Sequence, residues 1–135
     1  MVGRAVTYQL WLRVAEEITV RVGRLGRCRF PAGWYAYTGS ARRGLRARLR
    51  RHCAPAEGKR TRWHADHLLA SRHVSLRFVL LSEDPECEVN AALGGSCPCP
   101  GFGASDCRAG CGSHLRYLGP DFELQDLAPQ SSGWR

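Results

Sequence analysis

No stretch of this sequence stays apolar for anything near the roughly 20 residues that a membrane-crossing helix needs. The chain is therefore not expected to span a bilayer. Its opening, MVGRAVTYQLWLRV, has arginines towards both ends and neither a long apolar core nor a small-residue cleavage site. No signal peptide is expected, and the cytoplasm is the expected compartment. Lysine is all but missing: of 20 basic residues, only Lys59 is not arginine. Acidic residues are also few, 12 against those 20, which leaves a net charge of +8. No internal repeat and no linker-like stretch divides the chain. Nor does it carry a zinc-finger or helix-turn-helix reader motif. With 135 residues and 44% apolar content, one folded domain with one core is expected.

The basic excess is unevenly placed. Arg42, Arg43, Arg46, Arg48, Arg50 and Arg51 crowd into a single segment. Coding bias can favour arginine over lysine, but it does not concentrate charge. A polyanionic partner does explain it, because neutralised phosphates release their counterions. The segment lacks a bulky apolar face, so nucleic acid fits better than a lipid surface.

Alternation of apolar and polar residues predicts strands over Thr7–Val14 and Ile18–Val22, and an aromatic-rich strand within Arg29–Thr38. Short links between them suggest a small antiparallel sheet of three strands. Ser40 is placed to cap a helix running to about Cys53, with Leu45 and Leu49 facing the core. A polar loop follows over Ala54–Lys59, and a second helix opens at Thr61 or Arg62 and carries Trp63, Asp66, His67, Leu68 and Leu69. Val74–Leu81 reads as another strand, Asp84-Pro85 as a helix start ending at Gly94-Gly95, and His114–Leu118 as a last short strand. The expected fold class is α+β, one domain over residues 1–126 with a Cys-rich segment at 97–114, then a loose tail over 127–135.

Chemistry-bearing residues come in a definite order. Tyr8 lies on the first strand. Tyr35 and Tyr37 lie two apart on a later one and share a face. Arg48 and His52 lie four apart on the arginine-rich helix, again on one face. Glu86 opens a later helix. Taken singly, each has an ordinary reading: strand aromatics in a core, a solvated arginine, a histidine complementing a helix dipole.

The ordered set resembles the GIY-YIG nuclease family. Thr7-Tyr8-Gln9 stands where that family has its first motif, with the glycine replaced. Tyr37-Thr38-Gly39 matches the second motif, and Gly39–His52 resembles the segment leading to the family's arginine. Pro85–Val89 (PECEV) supplies the glutamate. Trp63-His64-Ala65-Asp66 and the GFGxSDC and HLxY strings between Gly101 and Tyr117 are similar to the Uri-type branch. The similarity spans about residues 7 to 118.

The resemblance implies a metal-dependent endonuclease that hydrolyses phosphodiesters in DNA, with a role in repair or processing. Glu86, or alternatively Glu88, would hold Mg²⁺ or Mn²⁺, hard cations suited to one carboxylate plus waters and phosphate oxygens. Arg48 would grip the scissile phosphate with its planar fork. Tyr8 would orient or deprotonate the attacking water, Tyr37 would hydrogen-bond phosphate or water, and His52 would assist proton transfer. Arg42, Arg43, Arg46, Arg50, Arg51, Lys59, Arg60 and His64 would contact nucleic acid. Tyr35 is expected to be structural.

Seven cysteines are many for this length. Cys28, Cys53 and Cys87 are scattered and read as small core residues. Cys97, Cys99, Cys107 and Cys111, with His114, offer ligands for a structural Zn²⁺, with free thiols or a disulfide as alternatives. Two further function classes stay open: an inactive nucleic-acid-binding module of the same fold, and a zinc-stabilised protein-interaction domain.

Overall fold

The computed structural model describes residues 6–41, 44–53, 64–103 and 111–121. Arg42, Arg43, the loop at 54–59, Lys59, Arg60, Trp63, Cys107 and the tail after Asp126 lie outside the described residues.

Among the described residues, six strands and three α-helices follow in order. They are β1 (Thr7–Val14), β2 (Ile18–Arg21), β3 (Arg27–Phe30), β4 (Gly33–Ser40), α1 (Leu45–Cys53), α2 (His64–Leu69), β5 (Val74–Ser82), α3 (Glu86–Ala92) and β6 (Leu115–Gly119). The main sheet runs β5-β1-β4-β6, antiparallel throughout. β2 and β3 pair separately as a two-stranded ribbon joined through a 3-10 turn at Gly23–Leu25.

The α+β class and the antiparallel sheet agree with the sequence. The strand arrangement does not. The expected second strand leaves the main sheet, and the aromatic run at Arg29–Thr38 divides into β3 and β4. Proline at position 31 breaks the ladder there, since it has no N–H to donate. The main sheet has four strands where three were expected, because Val74–Ser82 and Leu115–Gly119 both join it.

β1 lies between β4 and β5 and is buried on both faces. Tyr8, Leu10, Leu12 and Val14 point into the larger core, beside Tyr35 and Tyr37 of β4, Phe30, Leu68, Phe102 and Leu115. Trp11 and Ala36 point the other way, where Phe78, Leu80, Leu93 and Leu118 cover them. Trp11 and Phe78 stack at 5.4 Å. Gln9 on that face is buried but satisfied: its Nε2 donates to Thr38 Oγ1 (3.0 Å), and its Oε1 accepts from Trp11 Nε1 (3.2 Å).

β5 shows how register and pattern agree. Trp11 pairs with Phe78, but Leu12 pairs with Leu76, so one residue is extra on β5. The bulge lets Val74 and Leu76 face the same core as Val79 and Leu81, although their sequence parity differs.

A disulfide joins Cys28 on β3 to Cys99, 71 residues later, across Cα atoms 5.7 Å apart. It pins the β2–β3 ribbon to the Cys-rich segment. Closing a loop of that length stabilises a fold by about 4 kcal/mol in the chain-entropy treatment. Cys28 is therefore a cross-link rather than an ordinary core residue. No helix among the described residues is long and apolar enough to cross a membrane.

Candidate functional site

Antiparallel pairing places Tyr8 directly opposite Gly39. A Cβ built on Gly39 would sit 2.6 Å from the Tyr8 hydroxyl and from the ring carbon bearing it. The tyrosine ring thus lies flat over a position that only glycine leaves open. This is the physical content of the Tyr-Thr-Gly string: its glycine is a seat for the other strand's tyrosine. Thr7, standing where the resembled motif has glycine, is buried, and its Oγ1 donates to the Asp84 carbonyl (2.6 Å).

Around the Tyr8 hydroxyl the predicted residues converge. Tyr8 Oη lies 3.1 Å from His52 Nε2. Arg48 also hydrogen-bonds the Tyr8 side chain. The Tyr8, Tyr37 and His52 rings sit 5.5–6.5 Å apart, centroid to centroid. Arg48 Nη1 donates to the Ser40 carbonyl (2.5 Å), and Ser40 Oγ donates to Glu86 Oε1 (2.5 Å). One residue, Ser40, therefore joins the arginine to the carboxylate. Ser40 was expected to cap the following helix. It is instead the last residue of β4, and α1 begins at Leu45 after Gly44, whose φ of +69° suits glycine.

The electrostatics of the group are legible from burial and neighbours. Burial pushes the Tyr8 phenol up to about 12, against the lowering effect of the Arg48 charge and hydrogen bond. Tyr37 is also raised, mainly by burial and then by Tyr8 and Glu86 nearby. For Glu86 burial is the largest single effect and works against ionisation. Hydrogen bonds from His114 and Ser40 and the nearby charges of His114 and Arg48 outweigh it, so its carboxyl lies below the ordinary range. Glu86 pairs with His114 Nδ1 through its second oxygen. Glu88 is exposed on the same helix, so Glu86 is the glutamate that joins the cluster.

His52 does more than complement a helix dipole. It is buried, and behind it His52 Nδ1 lies 3.8 Å from Asp66 Oδ1 on α2. Arg51 Nη2 lies 3.3 Å from the other Asp66 oxygen. Arg51, expected as a nucleic-acid contact, thus serves a buried carboxylate, whereas Arg46 and Arg50 are exposed on α1. His64 is likewise engaged: its Nδ1 accepts the Gly103 N–H (2.7 Å) and its ring packs on Phe102. Burial, then the neighbouring His67, lowers its pKa. Gly103 itself has φ +67°, and a Cβ there would meet the Tyr37 ring at 2.7 Å. Tyr35 is structural as expected, donating to the Pro31 carbonyl (2.5 Å).

Three participants escaped sequence reasoning: Ser40, Asp66 in its role behind His52, and His114 as the partner of Glu86. Only the Asp66 pairing left a trace, in an acidic residue facing inward on a short helix.

The expected zinc set needs correcting. Cys99 is bonded to Cys28, which removes it as a thiolate ligand. Cys107 lies outside the described residues, and Cys97 does not join a ligand group among them. Cys111 and His114 do cluster, with Cys87 as the third member, in an arrangement that could hold a metal ion. Cys87 had read as a scattered core residue. The start of α3 brings it to the segment before β6, a contact between positions far apart in sequence.

A carboxylate held ionised, an arginine, two tyrosines and a histidine backed by an acid can bind an anionic group and move a proton beside it. No curated protein and no solved structure matches the chain. The model of the family described as a domain of unknown function, DUF123, matches residues 7–131, which takes in every element described above, and the chain belongs to that family.

Proposed function

We propose that this protein is a metal-dependent endonuclease acting on DNA, with Tyr8, Tyr37, Arg48, His52 and Glu86 as its catalytic group. The observation that carries this reading is the Tyr8 hydroxyl. It lies over Gly39 and meets His52 and Arg48 together, while Ser40 links Arg48 to Glu86. The resemblance of Tyr37-Thr38-Gly39, the arginine helix and PECEV to GIY-YIG nucleases adds support, as does the net charge of +8.

A phosphodiester repels a nucleophile, so cleavage needs neutralised phosphate charge and a positioned water. Arg48 supplies a fixed cation beside the phenol. Tyr8 is neutral at physiological pH, since burial holds it near 12. It therefore orients water through its hydroxyl and passes a proton onward only with help. His52 accepts at Nε2, and the Asp66 carboxylate 3.8 Å behind Nδ1 steadies the imidazolium by its charge. Tyr37, also kept neutral by burial, donates to a phosphate oxygen or the water.

The residues fit a hard cation. Glu86 is ionised, partly open to solvent and held by two donors, which leaves oxygen lone pairs for Mg²⁺ or Mn²⁺. Such an ion would neutralise charge on the phosphate oxygens.

The test is nicking of supercoiled plasmid by the full chain with Mg²⁺ or Mn²⁺. Arg48→Ala and Glu86→Gln should each lower the rate at least about 100-fold while DNA binding persists. Binding without cutting by the wild-type chain would instead leave an inactive nucleic-acid-binding module.

A further inference from the structure

Cys87, Cys111 and His114 lie beside the proposed catalytic group, which His114 reaches through Glu86. Their ligand atoms all fall within 4.8 Å of one another. Cys87 comes from the first turn of α3, whereas Cys111 and His114 flank the approach to β6. Cys87 Sγ is 3.9 Å from His114 Nε2. A tetrahedral zinc, with bonds of roughly 2.3 Å to sulfur and 2.0–2.1 Å to nitrogen, sets those two atoms roughly 3.6 Å apart. The observed spacing is thus within a few tenths of an ångström of a shared ion.

The other nitrogen of His114 supports the same assignment. Nδ1 pairs with Glu86, which directs Nε2 towards Cys87 and so towards the ion. A metal-bound histidine characteristically gives its second ring nitrogen to a carboxylate, which sets the tautomer and the ring plane. His114 is buried and the two thiols are half-buried, so the imidazole is the more firmly held of the three ligands. Two thiolates and an imidazole form a soft donor set, which selects Zn²⁺ over Mg²⁺ or Ca²⁺.

We propose that Cys87, Cys111 and His114, the three ligands found among the described residues, hold a zinc ion, and that Glu86 orients His114 within the site. The site stands on its own ligands and does not require the chain to be a nuclease. It makes His114 and Glu86 the link between a soft-metal site and the proposed hard-metal site. It keeps Cys111 and His114 of the ligand set expected from the cysteine-rich segment, drops Cys99, and adds Cys87 from α3.

The full chain, prepared under argon and freed of metal by a chelator, is titrated with Co²⁺ and then with Zn²⁺. A thiolate-to-cobalt charge-transfer band should appear and saturate at one Co²⁺ per chain, and Zn²⁺ should then remove it. Cys87→Ser and Cys111→Ser should each weaken binding by more than about 100-fold, while Cys97→Ser leaves it unchanged. A second measurement needs no variant. With Zn²⁺ bound, alkylation followed by peptide mass analysis should find Cys87 and Cys111 protected while Cys53 and Cys97 react. Three results would overturn the proposal: no charge-transfer band, a band that survives loss of Cys87 and Cys111, or equal alkylation of Cys53, Cys87, Cys97 and Cys111 in the presence of zinc.

Discussion

At the scale of single residues, the geometry turns on a contact between a tyrosine and a glycine. Gly39 leaves no room for a Cβ against the Tyr8 ring. Gly39→Ala forces the ring aside, and overpacking of this kind costs about 1–3 kcal/mol. The expected outcome is a lower midpoint in urea together with loss of plasmid nicking. A variant with unchanged stability and activity would show that the Tyr8 seat is irrelevant.

The titrating residues make a second prediction at this scale. Glu86 has a depressed pKa in the fold, so its ionised form contributes stability above the ordinary value of 4.5. That contribution is lost as pH falls from there through the folded value. Tyr8 is raised, so its contribution is complete below 10 and disappears as pH rises from 10 through about 12. Urea midpoints measured across pH should show both limbs. Glu86→Gln should flatten the acid limb. Tyr8→Phe should reduce the alkaline limb without removing it, because buried Tyr35 and Tyr37 are raised as well.

At the scale of elements, α1 and α2 meet through one carboxylate. Asp66 on α2 faces both His52 and Arg51 of α1. Asp66→Asn keeps the volume but removes the charge that steadies the imidazolium. If Tyr8, His52 and Asp66 act in file, the cleavage rate should fall roughly 10²–10⁴-fold, with a shifted pH–rate profile and little change in DNA affinity. A merely structural Asp66 would lower the unfolding midpoint and leave the pH profile of the remaining activity in place. Much of this level was legible beforehand. The α1 arginine pattern, the α3 start at Pro85 and the β5 run all matched their sequence signals, because each is a local periodicity or a backbone restriction. The Ser40 cap was misplaced because a serine after a strand looks the same whether its hydroxyl turns to its own helix or to a glutamate 46 residues away.

Across the whole molecule, the basic excess is its clearest property. If α1 lies on DNA, log affinity should fall linearly with log salt, with a slope of about −0.9 per neutralised phosphate. Arg46→Ala and Arg50→Ala, exposed on α1, should each make that slope shallower by about 0.9. Fluorescence anisotropy over a salt series checks this, and an unchanged slope in both variants would move the DNA contact away from α1.

The amino-acid order alone determined the α+β class, the inward alternation of β1, the shared face of Tyr35 and Tyr37, and the one-face placement of Arg48 and His52. Each of these follows from a period of two or of 3.6 residues along the backbone. Tertiary structure decided the rest: four sheet strands with a detached ribbon, Cys28 bonded to Cys99, Ser40 between Arg48 and Glu86, and Cys87 beside His114. Apart from Ser40 with Arg48, those pairings join positions tens of residues apart. Which of several chemically equivalent partners meets which is set by how the sheet folds the chain back on itself, and no local pattern encodes that choice.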